Sequence, residues 1–128
     1  MTYLLDTNVL IWATASVHNL GRSSKRLIER SDSLHYSGVS VFEMLIKQQN
    51  NKLIVPDGYF SGLTALGIRE LPFTSKHAQE LSRFGTMVHH DPFDRMILCQ
   101  AAGENFTLIT GDQKLIALDL PWIIDART

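Results

Sequence analysis

A three-layer α/β/α fold, with a central, mostly parallel sheet and helices on both faces, is predicted for this chain by three observations. Short apolar β-like runs alternate with helix-like segments along all 128 residues, the pattern of parallel strands joined by helical crossovers. No repeat, low-complexity tract or linker breaks the alternation, so a single domain spans residues 1–128. Four carboxylates, Asp6, Glu43, Asp94 and Asp112, each lie just past a strand-like run or in the first turn of the helix-like segment after it. Open α/β sheets carry their ligand sites at that junction.

Tyr3–Leu5 is an apolar run that predicts a buried first strand, and Asn8 to Ala15 a helix after it. Ser23–Arg30 predicts a second helix, with Leu27 and Ile28 apolar among charged residues. Leu34–Ser37 reads as a strand and Val41–Gln49 as a helix that Asn50-Asn51 breaks. Pro56-Asp57-Gly58 opens a short helix to about Leu66, and Ile68–Leu71 is a strand ended by Pro72. Thr74 or Ser75 caps a helix to Phe84, which Gly85 stops. Asp91-Pro92 starts the clearest helix, because proline suits the first helical position and aspartate the cap before it. Its apolar face is Phe93, Met96, Ile97 and Ala101 at helical spacing. Thr107–Thr110 is a strand, Gln113–Leu118 a short helix and Trp122–Ile124 a last strand.

Composition narrows the functional classes. Hydrophobic residues make up 45% and charged residues 20%, which fits a folded globular chain and argues against disorder. The net charge of −1 gives no global basic field, so nucleic-acid binding would need a local patch. One cysteine, Cys99, allows no internal disulfide and no Cys-rich zinc motif; its apolar setting predicts a small buried hydrophobe. No apolar run approaches the roughly 20 residues of a membrane span. Asp6 interrupts any N-terminal signal-like core. A soluble, cytoplasmic domain is the expectation.

Each acid has a structural explanation. Asp6 and Asp112 suit caps, Ser40-Val41-Phe42-Glu43 matches a capping box, and Asp91 and Asp94 suit the cap and third position of their helix. Caps can equally be Ser, Thr or Asn, however, so structural need alone does not call for acids at successive junctions. Clustered carboxylates repel unless a cation sits among them. Mg²⁺ and Mn²⁺ take oxygen ligands, and paired ions of this type clamp the attacking and leaving oxygens in phosphoryl displacement. The chain has no nucleophile elbow and no phosphate-binding glycine loop.

LLDTNVLIW, SVFEMLIKQQNNKL, HHDPFDRMILCQA and LITGDQKL occur in that order over nearly the whole chain. The set resembles PIN-domain endoribonucleases, and most of all the toxin subunits of VapBC-type toxin–antitoxin pairs; the DPFDR helix is its most specific part. The resemblance implies that Asp6, Glu43, Asp94 and Asp112 hold one or two Mg²⁺ or Mn²⁺ ions, with Asn8 and Thr110 orienting acids or waters. It makes Asp94 the third acid and leaves Asp91 a helix cap or a supporting residue. It further implies RNA as substrate, a small cognate antitoxin and a homodimer. Two departures, Asn51 before Lys52-Leu53 and Gly111 before Asp112, concern loop shape.

Other residues carry weaker signals. Adjacent His89 and His90 point apart, which disfavours a metal-independent acid–base pair. Arg95 is a candidate RNA contact or a surface ion pair. Arg22, Lys25, Arg26 and Arg30, with Lys47 and Lys52, offer a basic rim for a phosphate backbone or a solvated face. Trp12 and Phe42 read as core or groove, with core favoured for Phe42. The leading expectation is RNA cleavage by metal-activated water. Its rivals are a phospho-acceptor receiver module and a catalytically silent PIN-fold binding domain.

Overall fold

The computed structural model of this chain describes residues 1–85 and 90–128. Five strands, β1 (Thr2–Leu5), β2 (Ser33–Ser37), β3 (Ile68–Leu71), β4 (Thr107–Thr110) and β5 (Ile123–Asp125), form one sheet in the order β3-β2-β1-β4-β5. Every pairing is parallel, so the expected mostly parallel sheet is wholly parallel. Register sets Leu5 beside Tyr36 of β2 and Ile109 of β4. The chain leaves β1 to one side and returns to its other side, which makes the carboxyl ends of β1 and β4 a topological switch point.

Strand alternation divides the core into two layers. Tyr3 and Leu5 pack with Val9 and Leu10 of α1 (Thr7–Ala15), Met44 of α3 (Gly38–Gln49) and Leu63 of α4 (Tyr59–Ala65). Leu27 and Ile28 of α2 (Arg22–Glu29) border this layer. Leu4, between Tyr3 and Leu5, faces the other way onto Ile97, Leu98 and Ala101 of α6 (Pro92–Glu104) and Leu115 of α7 (Gln113–Ile116). Ile97 and Ala101 are fully buried, as the helical spacing predicts, and Cys99 is buried and unpaired.

Two elements differ from the sequence reading. Only Ser75–Ala78 (α5) is α-helical in the expected Ser75–Phe84 helix; Gln79–Phe84 tightens to a 3₁₀ helix. Thr74 caps α5 in a reciprocal box whose return partner is His77: its Nδ1 accepts from the Thr74 amide at 3.1 Å. That bond leaves the other ring nitrogen, Nε2, to donate to Glu104 at 2.6 Å, which ties α5 to the end of α6. The second difference is the start of α3. Ser37 is its cap, accepting from the Val39 amide at 2.9 Å, and the helix begins at Gly38. Ser40 and Glu43 therefore lie inside the helix, and the capping box read at Ser40–Glu43 does not form. β2 runs straight into α3 without a loop, which frees both side chains for other partners.

Candidate metal centre

Asp6 ends β1 and caps α1: its backbone is extended, and its Oδ1 accepts from the Val9 amide at 2.9 Å. Thr110, at the end of the neighbouring β4, donates its hydroxyl to Asp6 Oδ2. Parallel pairing of β1 with β4 brings these residues together across 104 positions of chain. The same Thr110 oxygen accepts from the Asp112 amide at 3.0 Å. One hydroxyl thus fixes two acids. Asp112 in turn caps α7 through the Lys114 amide at 2.7 Å.

Asp94 stands in the first turn of α6, where Asp91 is the cap: Asp91 Oδ1 accepts from the Phe93 amide at 2.8 Å and more loosely from Asp94 at 3.4 Å. The Asp94 and Asp112 carboxyls hydrogen-bond to each other. Desolvation, that bond, and the nearby charges of Asp112, Asp91 and Asp6 push Asp94 up to about 8. Burial raises Asp6 to about 6, against the hydrogen bonds from Thr110, Val9 and Gly111. Burial also works against the Asp112 charge, but hydrogen bonds from Asp94 and from the Lys114 and Leu115 amides outweigh it, aided by His90, and hold Asp112 below the ordinary carboxylate range.

Glu43 stands slightly apart. Its Oε1 accepts from the Thr7 hydroxyl at 2.7 Å, and Lys47 one turn on lies 3.2 Å from Oε2. Thr7 has one hydroxyl hydrogen and gives it to Glu43, so the buried Ser40 hydroxyl, 2.8 Å away, donates to Thr7. The relay Ser40–Thr7–Glu43 joins α3 to the residue after Asp6. The sequence reading gives Thr7 no role, and it offers Ser40 only as a helix cap, not as a partner of Thr7. The signal was the threonine of DTN, whose importance shows only when α1 and α3 pack together.

The remaining candidates separate. Asn8 is exposed on α1 and makes no side-chain hydrogen bond to the acids among the described residues. Arg95 lines a cavity of about 150 Å³ with Phe73, Leu81, Met96 and Cys99, and its buried Nε has no hydrogen-bond partner among the described residues. Phe42, expected in the core, is 62% exposed; its ring meets the edge of Phe93 at 6.1 Å. Trp12 is half-buried against the tail. His90 lies within charge reach of Asp112, while His89 falls outside the described residues. Of the basic rim, Arg22, Lys25 and Arg26 lie on α2 and Arg30 is its C-cap, while Lys47 pairs with Glu43.

Among the described residues no three acid, histidine or cysteine side chains close into one compact metal cage. What exists is the pair Asp94–Asp112 with buried Asp6 within charge reach of it, and Glu43 held separately by Thr7 and Lys47. Its donor chemistry suits a hard divalent cation: oxygen ligands only, and carboxyls whose mutual repulsion a cation would relieve.

The PIN domain model matches residues 3–120, and the chain belongs to the PIN-domain family. The Ribonuclease VapC22 of Mycobacterium tuberculosis is 28% identical over 116 residues, covering 89% of each chain. Among solved structures, the fold is similar to VapBC-1 from nontypeable Haemophilus influenzae (TM-score 0.72, 18% identity, all of both chains). It is also similar to a toxin–antitoxin complex from Klebsiella pneumoniae (TM-score 0.65, 20% identity, 97% of both chains). A third is VapBC2 from Rickettsia felis bound to a promoter DNA fragment (TM-score 0.64, 20% identity, 97% of this chain and 96% of that one). Family membership sets aside the receiver-module alternative.

Proposed function

We propose that this chain is a Mg²⁺- or Mn²⁺-dependent endoribonuclease and the toxin of a two-protein toxin–antitoxin pair. The observation that carries the reading is the Asp94–Asp112 carboxyl pair backed by buried Asp6, set at the switch point of a PIN-domain sheet. Asp6, Asp94 and Asp112 would hold the ion or ions, with Glu43 completing the set from α3. A divalent cation there supplies an acidified water and neutralises phosphate charge.

The protein's own part is preorganisation. Thr110 and the Val9 amide hold Asp6 in one rotamer, and Thr7 aims Glu43 while Lys47 balances its outer oxygen. The Asp112 carboxylate is fixed by the start of α7. Mounting acids on strand ends and helix caps gives them little freedom to move, which is the condition for charge stabilisation without reorganisation. Asp91 contributes by capping α6, and so by placing Asp94.

A homodimer and a small antitoxin follow from the same reading, supported by the toxin–antitoxin neighbours. An acidic edge welcomes an arginine or lysine from a partner, and Phe42, Leu45 and Ile54 expose apolar surface on and beyond α3. No helix among the described residues is long and apolar enough to cross a membrane, in keeping with work on cytoplasmic RNA.

The test is incubation of the purified chain with total cellular RNA in Mg²⁺, in Mn²⁺ and in chelator, with both ends of each cut mapped. Cleavage in either metal, leaving 5′-phosphate and 3′-hydroxyl ends, and none in chelator is expected. Cutting that persists in chelator overturns the proposal.

A further inference from the structure

The peptide of Gly111 is gripped from several sides, and Asp112 follows it directly. The Gly111 carbonyl accepts from Arg127 Nη1 at 2.7 Å, and its amide lies near the Asp6 carboxylate. The Arg127 guanidinium lies 5.2 Å from the centre of the Trp12 ring, a cation–π contact. A Cβ at position 111 would stand 2.6 Å from Trp12 Cη2 and 2.9 Å from Cζ3. Trp12 therefore occupies the space a side chain at 111 would need, and the two positions fit only as a pair. This accounts for the glycine that distinguishes the loop before the fourth acid.

Arg127 is itself held by the segment that carries it. The Ala126 amide donates to Thr110 O at 2.8 Å, and Ala126 O accepts from the Gly21 amide at 2.9 Å. Thr128 O accepts from the Ser23 amide at 3.0 Å, and the Arg127 amide donates to Asp125 Oδ1 at 2.9 Å. Ala126 is fully buried. The segment after β5 thus straps across the start of α2 and delivers one cation to the turn between β4 and α7. Among the described residues the guanidinium bonds no carboxylate, so its grip is on the backbone.

We propose that Trp12 and Arg127 are positioning residues for the metal centre: clamped between them, the Gly111 peptide sets the direction of the Asp112 carboxylate. The inference rests on the metal-site reading above. Partners behind a metal ligand typically govern affinity by about ten- to a hundredfold, which gives the effect a scale.

The experiment measures Mn²⁺ affinity of the full chain by electron paramagnetic resonance, beside thermal melting, at a temperature where every variant is folded. Arg127→Met is expected to weaken Mn²⁺ about tenfold, and Arg127→Lys, which can still reach the carbonyl, to recover most of that loss. Gly111→Ala is expected to weaken Mn²⁺ by a similar factor, because its Cβ meets the Trp12 ring and displaces the loop. Wild-type affinity in Arg127→Met overturns the inference, as does a lowered melting temperature with unchanged affinity. A wild-type chain that binds no Mn²⁺ removes the metal-site reading and this inference with it; intact wild-type binding with an unaffected Arg127→Met removes the inference alone.

Discussion

Asp94→Asn is expected to reduce RNA cleavage by at least about a thousandfold, the scale of losing a group that fixes transition-state charge in a dry site. The fold should survive. Asparagine has nearly the shape of a protonated aspartic acid, and its amide can donate to Asp112 as the Asp94 carboxyl now does. It also removes a group that burial and three neighbouring acids disfavour as an anion. The metal-free variant should therefore be at least as stable as the wild type at pH 8. Cleavage rates and melting curves recorded together check both parts. Undiminished cleavage would remove Asp94 from the centre.

Metal-free protein is expected to lose stability as pH rises from about 4 to 8. Asp6 at about 6 and Asp94 at about 8 both lie above the ordinary 3.8, so the folded state holds protons that the unfolded chain has already released. Stability falls with pH wherever the folded state binds more protons. The loss therefore begins near the unfolded value and is complete only above the folded ones. For buried Asp6 the shift corresponds to at most about 3 kcal/mol; Asp94 adds a loss of the same sign at higher pH. Asp112, shifted the other way, contributes stability that disappears only as pH falls below the ordinary carboxylate range. Urea melts at pH 5, 6, 7 and 8 should show the decline in chelator. Saturating Mg²⁺ should flatten it, because an ion that binds only the folded state replaces the protons. Stability that rises over this range in chelator would contradict the account, and Asp94→Asn should lose the upper part of the slope.

What sequence could and could not show follows from the range of the forces involved. Caps are local, and Asp6, Asp91 and Asp112 each bond amides two or three residues ahead, as their positions predict. Ser40–Glu43 failed as a cap because β2 passes directly into α3 at Ser37-Gly38. A matching spacing inside an apolar run does not reveal where the helix begins. Phe42, favoured for the core, is exposed: α3 is apolar on more than one face, and only packing decides which face is covered. The 3₁₀ turn after Ala78 carries no distinct periodicity of its own. Thr7 and Ser40 act across 33 positions or more, Trp12 meets Arg127 from the far end of the chain, and Arg127 reaches Gly111 across 16. Arg127, for instance, meets Trp12 only because β5 places the following segment beside the end of β4.

The central claim is that particular acids hold a divalent ion, and Mn²⁺ binding to wild type, Asp94→Asn and Asp91→Asn tests it most directly. Wild type should bind. Asp94→Asn should bind at least about tenfold more weakly, since its charge is lost where the ion sits. Asp91→Asn should stay within about threefold of wild type, because asparagine caps a helix as well as aspartate does. Equal Mn²⁺ affinity in wild type and Asp94→Asn would contradict the account.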